Sequence, residues 1–290
     1  MSAMKSRENS VPLELIQSCE FEMMKYLKQV CDEHHLQYYL AYGTLIGAVR
    51  HQGFIPWDDD VDIHMPREDF LQLVEIMKQK PHPYYRMIAR ETTPEYSYLW
   101  PKLIDTRTKL TQIGDWKEPV QLGIFIDIFL LDGAGNSREE AEARYRQAFL
   151  LYRHVKRAAM KMFSPWESWC RTIPKWIYHI PEKVMGIGYW MDKHASFCSK
   201  KAYHEYEYVG AMGASTPEPS RNVWKKEWFG SGTDLTFNGE LFQAPCNWDA
   251  VLRPEYGDYM LLPPPEKRIP HHDYYLELPD SGISEWADTI

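Results

Sequence analysis

Four aspartates lie within five positions of this 290-residue chain, at Asp58, Asp59, Asp60 and Asp62. A run of like charges is typical of a solvated loop, but apolar and aromatic residues flank this one on both sides. From Asp60 to Met65, polar and apolar residues alternate, which is the period of a β-strand. The alternation predicts a strand that turns Asp60 and Asp62 to one face.

Carboxylates on one face of a strand raise each other's pKa unless a cation lies between them. Hard oxygen ligands suit Mg²⁺ or Mn²⁺, so the pattern indicates a site for a divalent metal ion. An acidic turn without a ligand remains an alternative. An EF-hand loop is disfavoured, because Ile63 and Asp69 stand where that loop needs glycine and glutamate.

A single carboxylate interrupts a later apolar run, from Gly123 to Leu131. The run predicts a strand that ends in a turn at Asp132 and Gly133. A lone aspartate buried in such a strand costs free energy unless it binds a cation or accepts strong hydrogen bonds. We interpret Asp127 as a third metal-facing carboxylate, with a structural hydrogen-bond acceptor as the alternative.

A small turn at Gly43 and Thr44 is predicted between a β-prone run at 38–41 and a short helix at 45–50. Backbone N–H groups of such a turn, helped by the helix dipole, can hold a phosphate. The order of turn, short helix and Asp-Val-Asp strand is similar to that of the nucleotidyltransferase fold. In that fold the turn holds phosphates against metals bound by the aspartates.

Other elements follow from periodicity and capping signals. Helices are predicted from Ser10 to about residue 35, from Pro66 onward, from the Ser137–Glu140 capping box to about Phe163, and after Glu182. Further strands are predicted at 85–89, 98–111 and 239–244, and a helical turn at 249–256.

Two features of the middle of the chain carry alternatives. Basic residues line the helix after Ser137, at Arg144, Arg146, Arg153, Lys156, Arg157 and Lys161. They form either a positive surface for an anionic polymer or lipid, or a solvated helix face. The aromatic cluster between Trp166 and Trp190 either encloses a quaternary ammonium, stacks on a base or sugar, or forms core.

Cations also occur away from this helix. Lys102 lies in the strand predicted at 98–111, where it either meets phosphate or is solvated. Near the C-terminus, prolines accompany Lys267, Arg268 and His272. This composition predicts a loop that returns to a site rather than regular structure.

Composition bounds the class of protein. The net charge of −8 argues against a nucleic-acid partner, whose binding protein would carry a basic excess. With 44% hydrophobic and 26% charged residues, the chain is expected to be globular. We expect a single composite domain over 1–290, with a core at 10–135, a helical region at 137–209 and a C-terminal segment at 210–290 packed on the core.

The five cysteines are odd in number and far apart, so neither a disulfide framework nor a zinc site is indicated. A reducing cytoplasm fits this usage. The N-terminal stretch lacks the apolar core of a signal peptide, and nowhere are there eighteen consecutive apolar residues. We therefore expect neither secretion nor a transmembrane segment.

The stretch YGTLIGAVRHQGFIPWDDDVDIHMPREDF closely resembles the signature of the LicD family. Later motifs of that family are matched in the same order by WPKLIDTRTKLT, GIFIDIFLLDG and YGDYMLLPPPEKR. The best-known members transfer phosphocholine from CDP-choline to cell-surface glycans, and the family includes the fukutin-related ribitol-phosphate transferases. The resemblance spans about residues 36 to 275.

The resemblance assigns roles to particular residues. It implies Mg²⁺ or Mn²⁺ held by Asp60, Asp62 and Asp127, with Asp58 as an added ligand or an acid behind the ligands. These three aspartates would also be the catalytic residues. For the donor and its phosphates it implies Gly43, Thr44, Lys102, Arg50, Lys267, Arg268 and His272.

The implied fold is α+β, a nucleotidyltransferase-like core of a mixed β-sheet flanked by helices. A helical insertion and a loop-rich C-terminal segment that returns to the site would complete it. The implied reaction moves a phospho-alcohol, phosphocholine first, from a CDP-activated donor to a hydroxyl of a glycan precursor such as that of lipopolysaccharide or teichoic acid. CMP is released. A lipid-linked acceptor would bring the enzyme into peripheral contact with the inner face of the membrane.

Two other functions stay open at this point. A nucleotidyltransferase would use the same turn and carboxylates to move NMP from an NTP and release pyrophosphate. A non-catalytic binding protein on this fold would have lost the metal carboxylates, and this chain keeps all three. The donor is open too, because ribitol or glycerol phosphate would need hydrogen-bonding groups where choline needs an aromatic box.

Overall fold

The computed structural model describes residues 11–112, 120–160, 169–270 and 274–278, without the side chains of 112, 169–178 and 274. The helices are α1 (Leu13–His34), α2 (Tyr42–His51), α3 (Arg67–Gln79), α4 (Arg138–Ala159), α5 (Trp169–Cys198) and α6 (Trp248–Tyr256). The strands are β1 (Tyr39–Leu40), β2 (Val61–Pro66), β3 (Tyr85–Ile88), β4 (Lys102–Asp105), β5 (Lys109–Gln112), β6 (Phe125–Gly135), β7 (Tyr208–Ala211), β8 (Val223–Lys225), β9 (Thr233–Phe237), β10 (Glu240–Ala244) and β11 (Tyr274–Glu277).

Strand β6 organises the central sheet, which has seven strands among the described residues. Strand β2 runs parallel to it on one side, and β4 runs antiparallel on the other. The second half of β6 pairs with β7, which carries β8, while β1 and β3 extend the two flanks. Because parallel neighbours need a crossover, the chain passes through α3 and the β3–β4 pair between β2 and β6.

The sheet is covered by helices whose apolar stripes follow the 3.6-residue period. In α1 the residues Cys19, Met23 and Leu27 are buried, and in α3 Phe70 and Leu73 are buried. Strand β6 is buried along its length except for half-buried Phe129. A mixed sheet flanked by helices confirms the predicted α+β class, while the division into 10–135, 137–209 and 210–290 stays a prediction.

Helix α2 begins at Tyr42, so the predicted turn before the helix is wrong. Gly43 and Thr44 lie in the first helical turn, after an extended Ala41. The reversal falls on Tyr42, whose φ of 42° is the left-handed conformation that side chains other than glycine rarely adopt. The chain therefore needs no separate loop between β1 and α2.

The turn predicted at Asp132 and Gly133 is also wrong, because β6 continues through both residues. Arg67 forms a two-bond ion pair with the buried Asp132, at 2.5 Å from Nε to Oδ1 and 2.8 Å from Nη2 to Oδ2. Opposite them, β7 supplies the backbone partners that let the strand extend. A paired carboxylate thus lies inside a strand where the sequence pattern indicated a turn.

The strand predicted at 98–111 is divided into β4 and β5. Asp105 causes the break, because its Oδ1 accepts the backbone N–H of Arg107 at 2.9 Å and its carbonyl accepts that of Thr108 at 3.3 Å. The helix predicted to reach Phe163 ends earlier, with Met160 in an extended conformation after α4. The predicted N-cap Ser10 lies outside the described residues, and Pro12 occupies the cap position of α1.

The C-terminal part of the chain contributes to the same body. The strand predicted at 239–244 is β10, paired with β9, and the helical turn predicted at 249–256 is α6. Strand β11 pairs with β5, so the chain does return to the earlier half. Among the described residues, no helix has the length and apolar character needed to cross a membrane.

Candidate active site

Two predicted metal carboxylates meet because of the register of the parallel pair β2–β6. Asp62 stands directly opposite Asp127. On the other side of β6, the antiparallel register places Lys102 opposite the same aspartate. Residues opposed in a sheet point to the same face, so two carboxylates and one ammonium share one face.

Lys102 is only 2% exposed, and its Nζ donates to Asp127 Oδ1. The ammonium also lies 3.4 Å from the centroid of the Phe125 ring and 5.5 Å from that of Tyr98. A buried ammonium is tolerated only with a paired charge and good contacts. Lys102 therefore orients Asp127, and its predicted contact with a donor phosphate stays a prediction.

The segment 58–60, called the acid loop below, lies at the start of β2. Ligand oxygens of Asp58, Asp59 and Asp60 all lie within 4.8 Å of one another. Gln17 of α1 holds the loop, since its Nε2 donates to the carbonyl of Asp58 at 2.8 Å and to that of Ile55 at 3.3 Å. The acid loop is therefore a fixed structure, and it includes Asp59, which was not expected among the ligands.

Gly43 and Thr44 join α2 to these carboxylates. A Cβ at position 43 would lie 2.7 Å from Asp58 Oδ2, so a larger residue there would displace either the Asp58 carboxylate or α2. The hydroxyl of Thr44 accepts the backbone N–H of Asp62 at 2.9 Å. Both residues therefore position the acids. Their contact with a donor phosphate stays a prediction.

The charges in this site are unbalanced without a cation. Burial raises the pKa of the Asp62 carboxyl well above its usual range, and Asp60, Asp127 and Asp58 raise it further, while Lys102 lowers it. Asp60 and Asp62 are half-buried, so they remain accessible from solvent. Clustered oxygen donors with mutual repulsion are what Mg²⁺ or Mn²⁺ requires, and the residues present fit such an ion.

Glu20 of α1 is a buried acid whose pKa is affected by these carboxylates, although it was not among the predicted site residues. It is 2% exposed, and its Oε2 has no hydrogen-bond partner among the described residues. Burial raises its pKa well above the usual range, and Asp60, Asp59, Asp58 and Asp127 add to the effect. Its position on the apolar stripe of α1, between Cys19 and Met23, is the sequence signal that would have revealed it.

Two predicted cations lie at the edge of the acid loop. Arg50 Nη1 donates to the carbonyls of Tyr259 at 2.5 Å and Leu261 at 3.4 Å. Burial lowers the pKa of Arg50, the nearby Arg268 lowers it further, and Asp58 raises it. Arg50, Arg268 and Asp58 therefore lie near one another. The bonds to Tyr259 and Leu261 place the C-terminal segment over this edge of the acid loop.

The remaining predicted cations are less closely tied to the acids. Arg268 donates from Nε to the carbonyl of Pro263 at 2.8 Å, and its guanidinium lies 5.6 Å from the Trp57 ring centroid. Lys267 is exposed in a short turn of 3₁₀-helix, Pro265–Lys267. His272 lies outside the described residues, so its role stays a prediction.

Four aromatic side chains, called the aromatic border below, adjoin the carboxylates. They are Tyr42, Tyr98, Trp100 and Phe129. Phe129 follows Asp127 by two residues on β6, and its ring lies 5.6 Å from Trp100 and 5.0 Å from Tyr42. Tyr98 contacts both Trp100 and the ammonium of Lys102. All four rings are half-buried and border the carboxylates.

In the part that the structure describes, the aromatic cluster predicted between Trp166 and Trp190 packs against α4. Trp190 stacks on His154 of α4 at 4.3 Å, and Tyr189 packs edge-on against Trp190. Trp166 and the side chains of its other members before Pro181 lie outside the described part of the chain. The signal for the aromatic border is instead alternation, with Trp100 two residues before Lys102 and Phe129 two after Asp127.

Glu255, in the last turn of α6, lies close enough to Tyr42 of the aromatic border to affect its pKa. Burial raises the pKa of Glu255 to about 7, against the opposing effect of Arg221. Tyr42 is affected by this carboxylate, because its pKa is raised first by burial and next by the charge of Glu255. A carboxyl group with a raised pKa therefore lies near Tyr42.

Fold and site together define a nucleotidyltransferase-type domain, in which a parallel strand pair presents carboxylates beside a short helix. The family model described as LicD/FKTN/FKRP, nucleotidyltransferase domain, matches residues 35–155. The lipopolysaccharide cholinephosphotransferase LicD of Haemophilus influenzae is 32% identical over 256 residues, which cover 86% of this chain and 92% of that protein. The chain belongs to the LicD family and is an enzyme of the transferase class.

Shorter similarities concern smaller parts of the chain. An uncharacterized protein of Rickettsia prowazekii is 42% identical over 59 residues, covering 20% of this chain and 22% of that protein. An uncharacterized protein of Rickettsia typhi is 39% identical over 67 residues, covering 23% of this chain and 22% of that protein. Neither name adds a substrate.

Proposed function

We propose that this chain transfers phosphocholine from CDP-choline to a hydroxyl of a cell-surface glycan precursor and releases CMP. The observation that carries the proposal is the opposed pair Asp62 and Asp127, with Lys102 on one carboxylate and the acid loop beside the other. Near full-length similarity to a protein named as a lipopolysaccharide cholinephosphotransferase supports the choice of phospho-alcohol and acceptor.

Mg²⁺ or Mn²⁺ would be held by Asp60, Asp62 and Asp127 with help from Asp58, and it would supply positive charge to the donor diphosphate and the leaving CMP. The transfer forms a bond between the acceptor oxygen and the phosphorus of phosphocholine and breaks the bond from that phosphorus to CMP. The acceptor proton passes to Asp127, whose orientation Lys102 fixes.

The aromatic border supports a quaternary ammonium as the head group. A trimethylammonium is attracted to the faces of aromatic rings and gains further from a nearby carboxylate. The half-buried rings of Tyr42, Trp100 and Phe129, with Glu255 close to Tyr42, provide both. A polyol phosphate would instead need hydrogen-bonding groups in the same place.

Cations at the edge of the acid loop suit the rest of the donor. Arg50 and Arg268 lie near Asp58, where the anionic diphosphate would pass. Gly43 and Thr44 begin a ten-residue helix beside the same acids, with the positive end of its dipole towards them. We place the enzyme in the cytoplasm, where CDP-choline and glycan precursors meet at the inner face of the membrane.

The test is a product assay with CDP-choline, CDP-ribitol, CDP-glycerol and the four NTPs, each with a glycan acceptor and with or without Mg²⁺. We expect Mg²⁺-dependent CMP from CDP-choline, and loss of turnover in Asp62→Asn with the fold kept. Asp192→Asn, an exposed acid on α5, is the matched control. Pyrophosphate from an NTP would favour a nucleotidyltransferase instead, and CMP from a polyol donor would change the head group.

A further inference from the structure

Tyr42 contacts the pair of side chains that follows the carboxylates along the sheet. His64 and Phe129 stand opposite each other in β2 and β6, each two residues beyond a carboxylate of the site and therefore on the same face. The centroid of the Tyr42 ring lies 4.8 Å from that of His64 and 5.0 Å from that of Phe129. The orientation of this one ring therefore determines which surface borders the carboxylates.

The hydroxyl of Tyr42 is held by Asn222, which is 1% exposed. Tyr42 donates to Asn222 Oδ1 at 2.5 Å, and Asn222 Nδ2 donates to the hydroxyl of Tyr145 at 3.2 Å. The hydroxyl of Tyr145 donates in turn to the carbonyl of Thr216 at 2.7 Å. The backbone of Asn222 is fixed as well, because its carbonyl accepts the N–H of Ala211 in β7 at 3.0 Å. Side chains from α2, α4 and the segment before β8 thus form one hydrogen-bond network.

The direction of this network follows from its last member. A carbonyl can only accept, so the single hydroxyl proton of Tyr145 points to Thr216 and its oxygen accepts. The group of Asn222 that faces Tyr145 is therefore the NH₂, and the group that faces Tyr42 is the carbonyl. Tyr42 must then donate its own proton to Asn222. Any contact that Tyr42 makes with a ligand uses its electron-rich ring or oxygen and not a donated proton.

We propose that Asn222 is a positioning residue that sets the preference of the site for a cationic head group, because it fixes both the ring and the proton of Tyr42. The inference rests on the proposed function, and Asn222 lies outside residues 35–155, which the family model matches. A trimethylammonium has no N–H or O–H to donate, and it is attracted to electron-rich groups. The hydroxyls of a polyol would gain from a hydrogen-bond donor, which Tyr42 no longer provides.

The first test is a double-mutant cycle between Tyr42 and Asn222, measured by titration calorimetry with CDP-choline and Mg²⁺ but no acceptor. Leucine is close to asparagine in size but forms no side-chain hydrogen bond, and Tyr42→Phe removes the hydroxyl alone. Asn222→Leu should weaken CDP-choline binding about fivefold, which corresponds to the net contribution of one hydrogen bond. In the Tyr42→Phe background the same change should have almost no effect, since the bond is already absent. Equal effects in the two backgrounds overturn the proposal.

A second comparison separates positioning from a purely structural role. Ser137→Ala is the matched control, because it removes the N-cap of α4, where the Ser137 hydroxyl accepts the N–H of Glu140 at 3.2 Å beyond the far end of β6. It should lower the melting temperature and leave CDP-choline binding unchanged. Asn222→Leu should lower the melting temperature and weaken the binding of CDP-choline but not of CDP-glycerol. Equal losses for the two donors would indicate a structural role and overturn the proposal.

The two proposals fail differently. If CMP is released from CDP-choline and Asn222→Leu binds this donor as the wild type does, the assignment of Asn222 is wrong and the proposed function stands. If the cycle shows the expected coupling but CMP is released only from another donor, Asn222 positions Tyr42 as proposed and the proposed donor is wrong.

Discussion

The pair of Lys102 and Asp127 shows at the residue level how the site carries charge in the interior. Each side chain is buried, and each is the other's main compensation. Removal of one partner leaves an isolated buried charge, which is far more costly than removal of both.

Lys102→Met should therefore destabilise the metal-free protein by about 3 to 5 kcal/mol. The double variant Lys102→Met with Asp127→Leu should recover much of that loss. Chemical denaturation of the four members of the cycle measures it, and Lys109→Met, an exposed lysine on β5, is the control. Additive losses in the double variant would contradict the proposed pairing.

His194 makes a second residue-level prediction, this one on pH. Burial lowers its pKa to about 4, its Nε2 lies 3.1 Å from the carbonyl of Met212, and Arg67 further disfavours the charged ring. The folded pKa lies below the usual 6.5, so the unfolded chain takes up the proton first. The contribution of His194 to the free energy of unfolding is fully present above about pH 6.5 and is lost as the pH falls towards 4.

The loss from this one group approaches about 3 kcal/mol at the acid end. His194→Gln, which can still donate to Met212, should show a shallower decline between pH 6.5 and 4 in urea denaturation. His204→Gln, exposed, should follow the wild type. An equally steep decline in His194→Gln would assign the acid sensitivity to other groups.

At the level of elements, the packing of α2 against the acid loop depends on glycine at position 43, which has no side chain. Gly43→Ala would place a Cβ 2.7 Å from Asp58 Oδ2 and displace either the helix or the carboxylate. Misplacement of reacting groups by about 1 Å can cost about 100-fold in rate. We expect a loss of CMP release of that order.

Stability should change much less, since alanine favours a helix by up to about 1 kcal/mol over glycine. Gly188→Ala in α5 is the matched control, because the added Cβ meets only the end of the Arg90 side chain, at 3.2 Å. Melting temperature and rate are measured for both variants. Full activity in Gly43→Ala would show that the acid loop tolerates the displacement.

The strands that carry the acids could be predicted from the sequence, because alternation and an isolated aspartate are local signals. The pairing of Asp62 with Asp127 could not, because it depends on the register of strands joined by a long crossover. The false turn at Asp132 has a similar origin. Its partner, Arg67, is distant in sequence, and an unpaired aspartate beside glycine is locally typical of a turn.

At the level of the whole molecule, the aromatic border is assembled from three separate segments. Tyr42 comes from α2, Tyr98 and Trp100 precede β4, and Phe129 lies on β6. A local cluster of aromatics, such as that before Trp190, is easier to notice but need not adjoin the site.

The role of the aromatic border in binding the head group can be tested by comparing two donors. Cation–π contacts are worth about 1 to 2 kcal/mol when desolvated, so Trp100→Leu should raise KM for CDP-choline about tenfold. The same change should leave KM for CDP-glycerol nearly unaltered where that donor is used. Trp190→Leu, which alters the stack with His154, is the control and should affect neither donor. Equal effects of Trp100→Leu on both donors would contradict a role in head-group binding.

The bond from Arg50 to the carbonyls of Tyr259 and Leu261 has a consequence for synthesis of the protein. On the ribosome, the strands bearing Asp62 and Asp127 emerge long before the segment that closes the edge of the acid loop. A nascent chain therefore passes through a stage in which both strands have been synthesised, while the carbonyls that bind Arg50 have not.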